Sequence, residues 1–282
     1  FSISGLRGVV GDVLTAQTTL GVSAAFGTWL TEGPVVVGRD TRPTSGMIKD
    51  AVLAGLSSTG HDVLDIGVAP SPKVVFATRK LGAQGGVVVT ASHNPPEWNG
   101  LKFTGPSEQP LTEREFSGLI EVWLGGRPRR CNWREIGHVL PARLLGQYER
   151  AIIESVDTGA TRQAGLTVVV DPGNGAGSTV TPYVLRELGC SVTALNAVPD
   201  GTFPRQIEPT GEALSMLAEA VKESTADVGF AHDCDADRLV CVTETGQALP
   251  EDMTLDIVLD SYLKENPGAT FVTNVASSSL FD

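Results

Sequence analysis

Val228-Gly229-Phe230-Ala231-His232-Asp233-Cys234-Asp235-Ala236-Asp237-Arg238-Leu239-Val240-Cys241-Val242 is the stretch on which the reading of this chain turns. The apolar run Val228 to Ala231 delivers three carboxylates and a guanidinium within six residues, and the apolar run Leu239 to Val242 leads away. Two such runs around a polar loop predict paired, buried strands with the loop at a sheet edge, where α/β folds hold ligands. Negative charges at i, i+2 and i+4 repel, so something must compensate them. A divalent cation does so at lowest cost, and an oxygen-only donor set points to Mg²⁺ rather than zinc. A solvated acidic turn is the plain alternative, and the apolar flanks speak against it. The spacing is like the start of an EF-hand loop, but the Gly and distal Glu of that motif are missing. Arg238 fits a site in which an anion, such as phosphate, lies beside the cation.

Working outward, short β-branched runs alternate with helical patterns. Val35 to Val37, Val63 to Ile66 and Val87 to Val89 read as buried strands, with helices over Ser45 to Ser58, Pro72 to Leu81 and Thr112 to Leu124. Thr44 or Ser45 is expected to cap the first of these. The rhythm restarts near residue 147. Strands are predicted at Leu166 to Val170, Val192 to Leu195 and Thr270 to Val275, and helices at Ser178 to Leu188, Gly211 to Glu223 and Asp252 to Leu263. The pattern predicts mostly parallel or mixed sheets with helices on both faces. The division expected is 1–146, 147–248 and the start of a third unit over 249–282.

A second chemical loop follows Gly85 to Val89: Thr90-Ala91-Ser92-His93-Asn94-Pro95-Pro96. Ser92 offers a hydroxyl at a strand end, although a hydrogen-bonding turn serine is the ordinary case. His93 is placed to bond a phosphate, Asn94 to pin its own turn, and the prolines stiffen the loop. Lys102 follows as a candidate cation or proton donor. There is no Gly-x-Ser-x-Gly elbow, which disfavours esterase chemistry. A phosphorylated Ser92 would supply an oxygen to the cation, so the two loops together suggest phosphoryl transfer. Arg7 between two glycines, Arg39 and Arg42 after a strand, and Arg238 would form a cation cluster suited to a phosphate. Asp40 is expected to brace Arg39 or Arg42. Asp171 to Gly177 is read as a tight turn rather than a dinucleotide fingerprint.

The chain has 282 residues, 41 % hydrophobic, and a net charge of -12. Such a charge excludes nucleic acid and anionic membrane as expected partners. Four cysteines without metal-ligand spacing suggest a reducing, cytoplasmic setting. Phe1 is not a native start and the last residues follow a strand-like run with no closing element, so a piece of a longer protein is expected.

Taken together, Ser4 to Gly8, Gly38 to Arg42, Thr90 to Pro95 with Asn99 to Lys102, and Asp233 to Arg238 resemble the α-D-phosphohexomutase family, which includes phosphoglucomutase, phosphomannomutase and phosphoglucosamine mutase. Asp171 to Gly177 and Pro199 to Pro204 also resemble family segments. The resemblance implies repeated mixed-sheet α/β/α domains, the first two of four plus a stub of the third. It implies Ser92 as the phosphoserine and Asp233, Asp235 and Asp237 as Mg²⁺ ligands with its phosphoryl oxygen. Arg7, His93, Lys102 and Arg238 take active-site roles, with Arg39 or Arg42 supporting. It further implies interconversion of hexose 1- and 6-phosphates through a hexose bisphosphate, most simply as a phosphomannomutase/phosphoglucomutase, with phosphoglucosamine mutase as the alternative and a homo-oligomer open. A metal-dependent sugar phosphatase using one of the aspartates and a non-catalytic phosphosugar-binding module are the rival readings. One departure is Cys234, where the family has Gly. A side chain is strained there if that position needs positive φ, but the three Asp keep their spacing, so a compatible backbone and modestly altered metal affinity are expected.

Overall fold

The computed structural model of the chain describes residues 5–106 and 109–273. Two α/β/α units follow one another. The first runs β1 (Leu6–Val9), α1 (Ala16–Trp29), β2 (Val35–Arg39), α2 (Ser45–Ser57), β3 (Val63–Val68), α3 (Ser71–Lys80), β4 (Gly85–Val89), β5 (Trp98–Thr104), α4 (Glu113–Leu124) and β6 (Val139–Pro141). Its sheet has the order β1-β5-β4-β2-β3-β6. β4, β2, β3 and β6 are parallel, while β5 returns antiparallel to β4 and carries β1 antiparallel on its other side.

Residue alternation in the central strands distributes the core. Val35, Val37, Val87 and Val89 pack with Phe26, Ile48, Val52, Leu56 and Leu119, on the side of α1, α2 and α4. Val36 and Val88, pointing the other way, pack with Val74 and Ala77 of α3. Period-two side chains with both faces covered explain why these strands are continuous valine runs. α4 begins with a capping box in which Thr112 and Glu115 satisfy each other's backbone N–H groups.

The second unit runs α5 (Gln147–Glu154), α6 (Thr158–Ala164), β7 (Thr167–Asp171), α7 (Thr181–Glu187), β8 (Ser191–Ala194), α8 (Ser215–Glu223), β9 (Val228–His232) and β10 (Leu239–Thr243), and α9 (Glu251–Glu265) follows. Its sheet order is β10-β9-β7-β8, with β9, β7 and β8 parallel and β10 antiparallel to β9. Val169, Ala231, Val240 and Val242 face Leu214, Leu217 and Val221. Both βα junctions expected as single helices open with a 3₁₀ turn, Ala176–Thr179 before α7 and Glu212–Leu214 before α8. The strand expected over Thr270 to Val275 is not formed at 270–273, and its remainder lies outside the described residues. Ser4 lies outside them as well.

α1 and α2 cross closely because Gly55 presents no side chain to α1. A Cβ there would stand 2.6 Å from the Leu20 carbonyl oxygen and 2.8 Å from Ser23 Cβ. Gly55→Val should therefore lose about 1–3 kcal/mol by overpacking, read as a lower urea midpoint. An unchanged midpoint would show that the helices separate without cost.

Candidate functional site

The loop between β4 and β5 turns sharply at Ser92, which has φ 52° and is buried. A non-glycine residue in this region is uncommon and must be held there. The Ser92 N–H donates to Thr90 Oγ1 at 2.9 Å. The main restraint is Arg42, whose guanidinium donates to four backbone carbonyls: Ser92 at 2.7 Å, Asn94 at 2.6 Å, Pro95 at 2.6 Å and Trp98 at 3.0 Å. Its Nε donates to Asp40 Oδ2 at 3.1 Å. All five guanidinium hydrogens are thereby used. Asp40 Oδ1 accepts from the Arg42 N–H at 3.0 Å and from Ser45 Oγ at 2.5 Å.

This corrects two expectations. Arg42 is fully buried and braces the serine loop from behind, so it does not join a cation cluster facing the cleft. Arg39 donates to the Asp40 carbonyl. Thr44 stands at the N-cap of α2 but makes no capping bond. Its hydroxyl and that of Ser45 instead accept from Asn99 Nδ2, each at 2.9 Å.

The acidic loop joins β9 to β10 and meets the serine loop directly. Ser92 Oγ donates to Asp233 Oδ2 at 2.7 Å. Lys102, on β5, donates to Asp235 Oδ2 at 2.7 Å and Asp237 Oδ2 at 2.5 Å. Ser71, the first residue of α3, bonds Asp235 through both its hydroxyl and its N–H. Carboxylate oxygens of Asp233, Asp235 and Asp237 all lie within 4.8 Å of one another. Asp233 Oδ1 and Asp235 Oδ1 are buried and have no hydrogen-bond partner among the described residues. Unpaired buried oxygens on two of three clustered aspartates fit a hard divalent cation.

Burial, then the Asp235 and Asp237 charges, pushes Asp233 well above the usual carboxylate range. Burial alone would raise Asp235, but Lys102 and the Ser71 hydroxyl reverse that and hold it low. Burial pulls the Lys102 ammonium down, and the Asp235 and Asp237 charges outweigh it, so Lys102 titrates above an ordinary lysine.

Arg7, Ser92, Lys102, Asp237 and Arg238 line one cavity of about 630 Å³. Arg7 Nη1 donates to Asn94 Oδ1 at 3.1 Å, so the Asn94 side chain serves Arg7 and not its own turn. Arg238 lies 3.4 Å from Glu208 and 3.7 Å from Glu251. His93 is turned toward an adjoining cavity with Phe203, Arg205 and Glu208. Burial, then the Arg238 charge, lowers its pKa, which leaves a neutral imidazole at pH 7.

The Asp171 loop supports the acidic loop from below. The Ala176 N–H donates to the Cys234 carbonyl at 2.8 Å, and Thr41 Oγ1 of the first unit donates to the Asn174 carbonyl at 2.9 Å. Arg205 holds this loop as Arg42 holds the serine loop, through Asp171 and the His232 carbonyl. Gly201 has φ 74°, and a Cβ there would stand 2.0 Å from the Thr41 carbonyl oxygen, so only glycine fits the seam between the units. The backbone is compatible with a side chain at Cys234, as expected: the left-handed residue of the acidic loop is Ala236, at φ 50°. The Cys234 thiol is buried 3.9 Å from Thr41 Oγ1, and burial, reinforced by Asp40, pushes its pKa well up. Its sulfur is not part of the Asp233, Asp235 and Asp237 cluster.

Ser71 and Glu208 are site residues that the sequence reading passed over. The signal for Ser71 was present in Ala69-Pro70-Ser71-Pro72, a stiff strand-to-helix junction next to a predicted ligand edge.

Residues 1–122 match the family described as phosphoglucomutase/phosphomannomutase, alpha/beta/alpha domain I, and residues 146–246 match domain II of the same family. The chain is 44 % identical over its whole length to a phosphoglucomutase/phosphomannomutase of Thermococcus kodakarensis, covering 63 % of that protein. It is equally 44 % identical to a protein of Pyrococcus horikoshii named "Probable phosphoglucosamine mutase", covering 62 % of it. The chain thus spans just over three fifths of these relatives' length. The crystal structure of a phosphoglucomutase/phosphomannomutase family protein from Burkholderia thailandensis superposes with a TM-score of 0.84 at 30 % identity, over 94 % of this chain and 59 % of that one.

Arg42→Met should cost about 3–5 kcal/mol, because it strands the buried Asp40 charge and the loop carbonyls. Chemical denaturation measures this, and a loss under about 1 kcal/mol would show that the loop holds itself. Because burial raises Asp233 and a ligand carboxyl must be deprotonated, divalent cation uptake should release protons and affinity should rise with pH. Calorimetry in buffers of differing ionisation enthalpy reads the proton. Identical heats in all buffers would contradict the raised Asp233.

Proposed function

The chain belongs to the phosphoglucomutase/phosphomannomutase family, the α-D-phosphohexomutases, and on that premise we propose that it carries the phosphoryl-transfer half of a mutase interconverting hexose 1- and 6-phosphates. The observation that carries the reading is the Ser92 Oγ to Asp233 Oδ2 contact of 2.7 Å beside a cavity lined by Arg7, Lys102 and Arg238. A hydroxyl, a carboxylate cluster and three cations converge there from separate segments. In this reading Ser92 is phosphorylated in the working protein. The Oγ–P bond breaks as the free hydroxyl oxygen of a hexose monophosphate bonds to phosphorus, and the hydroxyl proton ends on Ser92 Oγ. The resulting hexose bisphosphate then returns its other phosphoryl group to Ser92.

Asp233, Asp235, Asp237 and an oxygen of phosphorylated Ser92 would hold Mg²⁺, which supplies neutralisation of charge on the transferring group. Lys102 presents an ammonium to the cavity that Ser92 also lines and would serve as the proton donor. Arg7 and Arg238 bind phosphate oxygens with planar, forked donors. His93, whose buried Nδ1 has no hydrogen-bond partner among the described residues, would bond a phosphate oxygen without adding charge. The names of the relatives support glucose, mannose and glucosamine phosphates as the substrate class.

The division into 1–146, 147–248 and the beginning of a third domain is part of the same proposal, as are a cytoplasmic setting and no nucleic-acid or membrane partner. Among the described residues no helix is long and apolar enough to cross a membrane. The chain spans 62–63 % of its curated relatives, so this span alone is proposed to turn over poorly.

Incubation with glucose 1,6-bisphosphate followed by peptide mass spectrometry should find phosphate on Ser92. Ser92→Ala should remain folded, take up none, and lower any measurable mutase rate by about a thousandfold or more. Phosphate found on an aspartate of the acidic loop, with Ser92→Ala still active, would favour a phosphatase and overturn the mutase reading.

A further inference from the structure

We propose that Ser71 is a positioning residue that sets the orientation of the Asp235 carboxylate across the seam between the two units, so that one chosen oxygen faces the cation. The inference rests on the metal reading of the acidic loop given above.

The geometry begins with the start of α3. The first residues of a helix leave N–H groups without partners inside the helix. α3 has Pro70 at its N-cap, which offers no side-chain cap, and Pro72 has no N–H. The Lys73 and Val74 N–H groups turn back to the Pro70 carbonyl. The Ser71 N–H is left, and it donates to the Asp235 backbone carbonyl at 2.9 Å. The helix is therefore capped by a residue 164 positions away, in the other unit.

The Ser71 hydroxyl then donates to Asp235 Oδ2. Lys102 Nζ reaches the same oxygen at 2.7 Å. Oδ2 is thus doubly engaged, while Oδ1 is buried with no partner among the described residues. A carboxylate turns readily about its last torsion, which has broad, roughly two-fold minima. Two donors from different directions on one oxygen stop that rotation and leave Oδ1 for the cation. Asp233 is arranged in the same way, with Oδ2 taken by Ser92 and Oδ1 unpaired.

Lys102 and Ser71 differ in what they do besides. Lys102 is shared with Asp237 and faces the cavity, so a bound phosphate competes for it. Ser71 also borders the cavity, but it is uncharged, 5 % exposed and anchored by its own backbone N–H. It holds Asp235 whichever anion Lys102 is meeting. Hydrogen bonds that orient metal ligands from outside typically govern 10–100-fold of metal affinity.

The test is Mg²⁺ titration by calorimetry of the chain itself and of three variants, with thermal unfolding in EDTA as the second readout. Ser71→Ala should bind Mg²⁺ about 10–100-fold more weakly. Ser71→Thr, which keeps the hydroxyl, should recover affinity to within about threefold of the parent, since the carboxylate is again held. Lys73→Met is the control for a merely structural role. It breaks the 2.6 Å Lys73–Glu149 pair, another tie from α3 to the second unit, without touching the loop. It should lower the unfolding temperature in EDTA and leave Mg²⁺ affinity unchanged. Parent-like affinity in Ser71→Ala overturns the inference alone. So does an equal affinity loss in Lys73→Met, because seam contact in general would then be the cause. Absence of Mg²⁺ binding in the parent chain overturns the metal reading, and this inference falls with it.

Discussion

The mutual repulsion of Asp233, Asp235 and Asp237 is the constraint to which the surrounding structure answers. Unit charges about 4 Å apart interact by about 4 kcal/mol at an effective dielectric near 20. The three carboxylates make three repulsive pairs. Lys102 offsets the Asp235–Asp237 pair by lying between those two carboxylates. Burial, with the remaining repulsion from Asp235 and Asp237, pushes the Asp233 carboxyl toward the neutral form, while Lys102 holds Asp235 low. Every donor that relieves the cluster comes from residues 71–102, whereas the carboxylates lie at 233–237. The backbone of the acidic loop is held chiefly by its own unit, whereas its carboxylates are met by donors from the other.

Each unit brings its half of the site on a braced loop. Arg42 with Asp40 grips the serine loop, and Arg205 with Asp171 grips the loop below the acidic one. A guanidinium suits this task because its planar fork meets several carbonyls at once and stays charged at any relevant pH. Such buried pairs add little net stability compared with apolar packing, but they fix one conformation where the backbone is irregular. The seam between the units is mixed. At the cleft it is made of hydrogen bonds and ion pairs, and farther out Phe76 and Tyr148 meet edge to face, with ring centroids 5.5 Å apart.

Much of this was legible in the chain itself. β2, β4, β7, β9 and β10 are short apolar runs, and their burial follows from the run. The serine and acidic loops stand out because reactive residues crowd at strand ends. β5 was not legible: Trp98-Asn99-Gly100-Leu101-Lys102-Phe103-Thr104 places a buried Asn and a cleft-facing Lys inside a strand, breaking the alternation. α1 was missed for a different reason. It is rich in small residues and buried on much of its circumference, so no polar stripe marks it. The burial of Arg42 could not be read either, since an arginine after a strand looks the same whether it faces a ligand or a row of carbonyls. Ser71 acts on a residue far along the chain, and local pattern carries no trace of such a partner.

The left-handed torsion at Ser92 reaches beyond shape. Threonine offers the same hydroxyl and is often treated as its chemical equivalent. At φ 52° a branched Cβ is a genuine outlier, whereas serine's single γ atom is tolerated. The Arg42 brace keeps the main chain from relaxing to a more ordinary angle. The backbone at this position therefore favours serine of the two alcohols, although Thr225 holds φ 51° elsewhere in the chain.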